Sequence, residues 1–258
     1  MFSWLKERRR AQIVEAPFPD EWRQVLERNI ALYRDLSEEQ RESLHDQLRV
    51  FMAERSWEGC GGLKITDEMK VVISALACML TLGRSVDEYS MVRTILVYPT
   101  AYFSTVEEPD EFGVVAVDDD DREGEAWPEG VVVLSWRDAR HDAKRLDGRN
   151  VVLHEFAHQL DMGDGAANGA PILDSRDMAE RWKAVMASEF EALKRRAAKN
   201  QKGVLDAYGA EDESEFFAVA TEAFFELPAK LARQHSDLYS LLRDYYRRDP
   251  VISADTLA

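Results

Sequence analysis

The stretch VVLHEFAHQLD, residues 151–161, constrains the fold more than any other part of this 258-residue chain. Val151, Val152 and Leu153 lead in, and Phe156, Ala157 and Leu160 supply apolar faces, so the segment predicts a central helix with little contact with water. Set into it are His154, Glu155 and His158. Positions i and i+4 share a helix face, so the two imidazoles can each present a nitrogen to one ion at about 2.0–2.1 Å. Glu155 lies about 100° around from His154, too near in sequence to join the ligand set comfortably, yet able to reach a water on the ion. This order, H-E-x-x-H, is the metallopeptidase motif, whose glutamate takes the proton as water attacks a carbonyl. A histidine pair that merely packs a core would not require the intervening glutamate.

A catalytic metal site needs a third protein ligand and an open fourth position. The other histidines are His45, His141 and His235. None completes an H-E-x-x-H-x-x-G-x-x-H arrangement, because Asp161, Asp164 and Asn168 occupy that region. The alternative is a carboxylate from a later helix. In YGAEDESEFFAVATEAFFELP (208–228), Glu215, Glu222 and Glu226 fall along one stripe among Phe216, Phe217, Val219, Phe224 and Phe225. An acid on so apolar a helix is costly unless paired or coordinating. Periodicity leaves Glu215 and Glu222 both open.

Around these segments the chain reads helical, then β, then helical. Two helical patterns occupy 20–55, with Asp20 and Ser37 as N-caps and Glu38 and Glu39 in the second helix's first turn. WEGCGGLKIT (57–66) reads as a loop broken by Gly59, Gly61 and Gly62, and Thr66 then caps an apolar helix over 67–83. VRTILVYP (92–99), EFGVVAV (111–117) and GVVVLSW (130–136) are β-branched runs of strand length. The intervening DDDDREGEAWPEG lacks the glycine and distal glutamate of a calcium loop and reads as a solvated acidic loop. Helices are expected at 150–161, 177–200, 212–226 and 236–247. With no repeat and no sharp compositional break, the pattern gives one α+β domain over 1–258, with 1–90 mainly helical and 91–258 carrying the chemistry.

Charge narrows the partners. The chain has 33 basic and 49 acidic residues, a formal charge of -16, which repels phosphate backbones and argues against direct nucleic-acid binding. Cys60 and Cys78 form no disulfide framework and read as buried apolar residues of a reducing compartment. The N-terminus lacks the apolar region of a secretory signal, and VVISALACMLTLG (71–83) is too short to cross a bilayer. The expectation is a cytoplasmic protein with no membrane partner.

The chain resembles the Mlc titration factor A family of bacterial zinc peptidases. The resemblance is carried by WEGCGGLKITDEMKVVISALAC, ILVYP, GVVVLSW, VVLHEFAHQLDMGDGAANG, DAYGAEDESEFFAVATEAFFE and LYSLLRDYYRRDP, between about residues 57 and 250. It implies a zincin-like, α+β metallopeptidase with a small mixed sheet, an active-site helix, added N-terminal helices and a catalytic part similar to lethal-factor-like zinc peptidases. It makes His154, His158 and Glu215 ligands of one Zn2+ and Glu155 the general base. It also makes Tyr208 an oxyanion donor that faces the metal. Where some members place a further histidine in the strand matching FGVVAV, this chain has Ala116.

The implied activity is aminopeptidase-like hydrolysis of peptides, for which Glu222 and the aspartates after His158 are candidates to hold the substrate's amino terminus. The alternative the resemblance implies is a latent regulator that sequesters a transcriptional repressor of sugar uptake, for which an acidic surface is suited. Two further roles stay open at this level. GVVVLSW reads equally as a substrate-binding edge strand or a core strand. Asp161 and Glu222 read equally as partners that orient a ligand imidazole or as helix salt bridges.

Overall fold

The computed structural model describes residues 2–103, 121–122, 124–127 and 130–251. The N-terminal part is helical: α1 (Phe2–Glu15), α2 (Asp20–Asn29), α3 (Glu38–Glu54) and, after strand β1 (Ser56–Gly59), α4 (Asp67–Thr81). Strands β2 (Thr94–Tyr98), β3 (Tyr102–Phe103), β4 (Asp121–Arg122), β5 (Gly124–Trp127) and β6 (Val131–Ser135) follow. The remainder is again helical: α5 (Trp136–Asp142), α6 (Val151–Asp161), α7 (Arg176–Ala197), α8 (Glu213–Glu226), α9 (Pro228–Gln234) and α10 (Ser236–Tyr246).

Local chemistry explains the main boundaries. Ser37 and Gln40 form a reciprocal capping box at the start of α3, and the Thr66 hydroxyl accepts from the Met69 N–H at the start of α4. Asp20 does not cap α2. It is the helix's first residue, and Pro19 takes the cap position with its carbonyl accepting from Trp22 and Arg23 N–H at 3.1 Å each. Proline's fixed extended geometry suits the entry to a helix.

The main sheet runs β1-β2-β6-β5, the first three parallel and β5 antiparallel at the end. Parallel neighbours need a crossover, and α4 supplies it between β1 and β2. Two sequence expectations change here. The glycine-rich stretch after residue 56 is not all loop, since Trp57, Glu58 and Gly59 pair with Ile95, Leu96 and Val97. The acidic segment after residue 117 contains β4 and β5, an edge position being one where charged side chains remain tolerable. The run over 111–117, with Ala116, lies outside the described residues.

A third correction concerns GVVVLSW. Its strand, β6, is flanked by β2 and β5 and is therefore no edge. Val132, Val133 and Leu134 are all buried, so both faces of β6 are covered, which is what an unbroken apolar run means in a parallel sheet.

Helix α6 lies against this sheet, α4 and α8. Phe156 anchors it, its ring meeting Phe51 at 5.6 Å and Tyr89 at 5.1 Å edge-on. Every residue of α4 from Val71 to Thr81 is buried, Cys78 included, whereas Cys60 is only partly covered. The reading of both cysteines as buried thus holds for Cys78 alone. Among the described residues no helix is long and apolar enough to cross a membrane.

Candidate metal centre

Helix α6 is fixed at its start by an unusual set of acids. The Asn150 side chain caps it by accepting from Leu153 N–H at 3.1 Å. Asn150 is itself held by α8: its N–H donates to Glu222 Oε2 at 2.6 Å and its amide to Glu226 Oε1 at 3.0 Å. Gly148 N–H adds a bond to Glu226 Oε2 at 2.9 Å. Two carboxyl groups one turn apart on α8 therefore set the depth and rotation of α6, and so of its histidines. Burial pushes the Glu226 carboxyl up to about 8, against the two hydrogen bonds and with the help of nearby Glu222.

The imidazoles converge. His154 Nε2 lies 3.1 Å from His158 Nε2 and 3.0 Å from Glu215 Oε2, and His158 Nε2 lies 3.4 Å from Glu215 Oε1. The tautomers follow from the opposite ring edges. His154 Nδ1 donates to Glu222 Oε1 at 2.6 Å. His158 Nδ1 donates to Ser214 Oγ at 3.0 Å, because the Ser214 hydroxyl already gives its proton to Asp161 Oδ2 at 2.8 Å. Asp161 is in turn held by Gly169 and Ala170 N–H at 2.9 and 2.8 Å. Both Nε2 atoms consequently offer lone pairs to the same point, beside an ionised carboxylate.

Such a cluster can hold a cation. Among the described residues, His154, His158 and Glu215 are the group able to hold a metal, their ligand atoms lying within 4.8 Å of one another. Tetrahedral bonds of about 2.0–2.1 Å place ligand atoms about 3.3 Å apart, close to the three separations found. The protonation equilibria favour positive charge at the same point. Burial disfavours charge on His154, yet Glu215 and Glu222 outweigh it and raise its pKa well above the imidazole range. Positive charge is thus favoured here, and a metal ion would take the place of the Nε2 proton. Burial likewise opposes charge on Glu215, but His154 and His158 hold its carboxyl down to about 2.

Glu155 points from the same turn toward the sheet and is buried at 6% exposure. Strand β5 passes directly over it: a Cβ added to Gly124 would lie 2.6 Å from Glu155 Oε1. Tyr208 sits in a short 3-10 helix, Ala207–Ala210, capped by Asp206. Its ring centroid is 6.0 Å from that of His154, and 48% of the residue is exposed. Burial and the acids around it, Glu215 first, raise the phenol above its ordinary pKa, so it keeps its proton and can donate.

All five residues singled out in the sequence thus come together, with Glu215 against both Nε2 atoms and Glu222 behind His154. The whole-chain comparison decides the family. The model of the glucose-regulated metallo-peptidase M90 family matches residues 4–247. This chain belongs to that family.

Relatives of the M90 chain span nearly its whole length. An uncharacterized protein of Synechocystis is 41% identical over 253 residues, 97% of this chain and 91% of its own. The Mlc titration factor A of Serratia proteamaculans is 30% identical over 234 residues, 90% of this chain and 88% of its own. That of Pectobacterium atrosepticum is 29% identical over 235 residues, with 90% and 87% covered. A metallo-peptidase family implies a metal, and the donor set built here suits one.

Ser214 and Asn150 carried no signal in the sequence, and Glu226 was visible there only as part of the acidic stripe, because all three act only once α6 and α8 are side by side. Sequence reasoning also offered Glu222 and the aspartates after His158 as holders of a substrate amino terminus. Glu222 and Asp161 are buried and engaged with His154, Asn150, Ser214 and the 169–170 backbone, whereas Asp164 is exposed and accepts from Ala166 N–H at 3.0 Å.

Proposed function

We propose that this chain is a zinc-dependent peptidase of zincin-like build, one domain in which α6 carries the metal ligands and general base and α8 the third ligand. The observation that supports this best is the convergence of His154 Nε2, His158 Nε2 and Glu215 on one point, with both Nδ1 protons directed away from it. Two imidazoles and one carboxylate form a catalytic His2Glu set, which favours zinc and leaves a position open.

A zinc ion held by these three residues supplies Lewis acidity, making water a stronger acid and polarising a carbonyl. Glu155, adjacent to the ligands yet outside their set, takes the proton of the attacking water and delivers it to the departing amine. The Tyr208 phenol donates to the oxygen on which charge develops. Glu222 orients His154, and the Asp161–Ser214 pair orients His158. An extended peptide pairs with β5, whose outer edge has no partner strand among the described residues.

The activity class we favour is aminopeptidase-like. A panel of fluorogenic amino-acid and internally quenched peptide substrates tests it, with zinc-loaded wild type beside Glu155→Gln. Cleavage by the wild type that collapses in the variant supports the reading and gives the end preference. Equal rates in the two would refute it.

A second reading, sequestration of a transcriptional repressor, is favoured by the name Mlc titration factor A on two relatives and by the charge of -16, suited to a basic DNA-binding partner. Glu155→Gln separates the two, since it removes cleavage and leaves partner binding intact.

A further inference from the structure

A cavity of about 470 Å³ lies between the loop entering α6, the residues after α7 and the start of α9. That volume suits a small ligand or one substrate side chain. Its walls carry Arg149, Lys202 and Lys230, a gathering of positive charge on a chain whose formal charge is -16. Among the described residues neither lysine forms an ion pair. Arg149 approaches Asp206 only at 3.9 Å, and Asp147, the other acid of the wall, is engaged by Arg145 at 3.1 Å.

A fourth cation lies beneath. Gly203 forms part of the wall, and a Cβ added there would stand 2.7 Å from the guanidinium carbon of Arg196. Arg196 Nη1 meets His235 Nε2 at 3.3 Å, while its Nε and Nη2 are buried without a hydrogen-bond partner. His235 in turn meets Glu189 Oε2 through Nδ1 at 2.7 Å, and at short range through protein the positive charge of the guanidinium raises the potential of the cavity above it.

We propose that this cavity is an oxyanion site, binding a carboxylate or phosphate through Arg149, Lys202 and Lys230 above Arg196. The occupant is a single compact anionic group, since a long polyanion would meet the acidic remainder of the surface. Two of its wall residues adjoin elements of the metal centre. Arg149 directly precedes Asn150, the cap of α6, and the Asp206 side chain accepts from Tyr208 N–H at 3.0 Å. An anion that draws on Arg149 therefore acts on the residue that also faces the Tyr208 turn. The group arrives either on a free small molecule or on an acidic residue of the substrate; the latter route rests on the peptidase reading.

The test is calorimetric titration of the full chain, zinc-loaded and metal-free, with inorganic phosphate. Lys202 and Lys230 are exposed, so Lys202→Glu/Lys230→Glu should fold, which thermal unfolding checks, and Arg149→Gln is a second probe. Phosphate should bind wild type with one Kd in both metal states and bind the double variant at least about tenfold more weakly. No binding at millimolar phosphate, or equal affinity in the double variant, overturns the site.

Paired peptides with Glu or Gln at each position distinguish the source. A preference for Glu in kcat/KM that vanishes in the double variant assigns the oxyanion to substrate. Phosphate binding without such a preference assigns it to a free anion. The calorimetry stands whether or not the chain cleaves peptides, so failure of the peptidase reading remains separable.

Discussion

His154 Nδ1 and Glu222 Oε1 lie 2.6 Å apart in the interior, with the other oxygen of Glu222 bound to the N–H of Asn150, the residue that caps the histidine's own helix. One carboxylate thus sets both the tautomer of a metal-facing imidazole and the seat of the helix that carries it. Glu222→Ala is expected to weaken zinc about 10–100-fold, read by competition with a chromophoric chelator. An unchanged zinc affinity in a folded variant would assign Glu222 to helix packing alone.

The close passage of Gly124 over Glu155 gives a second expectation. A methyl group at 124 would meet Oε1 at 2.6 Å, Cγ at 2.7 Å and Val151 Cγ2 at 2.8 Å. Gly124→Ala must therefore move Glu155, the proposed general base, or lift β5. Peptidase kcat should fall on the order of 100-fold, as a base displaced by about an ångström implies, with zinc content unchanged. Wild-type kcat in this variant would mean that Glu155 needs no fixed relation to the edge strand.

Tyr208 is half exposed and packs little, so its removal isolates chemistry from stability. Tyr208→Phe is expected to lower kcat by about 10²–10³, the range for a lost oxyanion donor, with KM and melting temperature close to wild type. A rise in KM at constant kcat would instead make the phenol a substrate-binding group.

Glu226 makes stability pH-dependent. Its carboxyl titrates near 4.5 in the unfolded chain and at about 8 when folded, burial being the cause. Between those values the folded state holds a proton that the unfolded state has released, so stability is fully present below about 4.5 and is lost as pH rises through about 8. The full effect is of order 5 kcal/mol. Urea unfolding of zinc-loaded protein from pH 6 to 9 should show a flatter slope in Glu226→Gln than in wild type. Identical slopes would show that the Asn150 and Gly148 donors outweigh burial.

The helix that carries His154 and His158 was legible because its chemistry is local: an i, i+4 pair with an intervening glutamate on apolar faces. The third carboxylate was legible only as a stripe, since Glu215 and Glu222 lie two turns apart on the same face of α8 and periodicity cannot say which one meets Nε2 and which Nδ1. Ser214 carries no signal of its own, and it gains meaning only when α8 brings it between His158 and Asp161. Strand β1 was hidden by its composition, Ser-Trp-Glu-Gly, which has no β-branched residue and runs into three glycines. Strand β5 was hidden by acidic neighbours, and whether β6 is inner or outer depends on pairing that no single strand encodes.

The central claim is that His154, His158 and Glu215 hold one catalytic zinc. Its most direct test is metal analysis with X-ray absorption on purified wild type, Glu155→Gln, His158→Ala and Glu215→Ala. One zinc per chain is expected in the first two, with nitrogen and oxygen neighbours at about 2.0–2.2 Å, and loss of that zinc in the last two. Full zinc occupancy with an unchanged spectrum in folded His158→Ala or Glu215→Ala would contradict it.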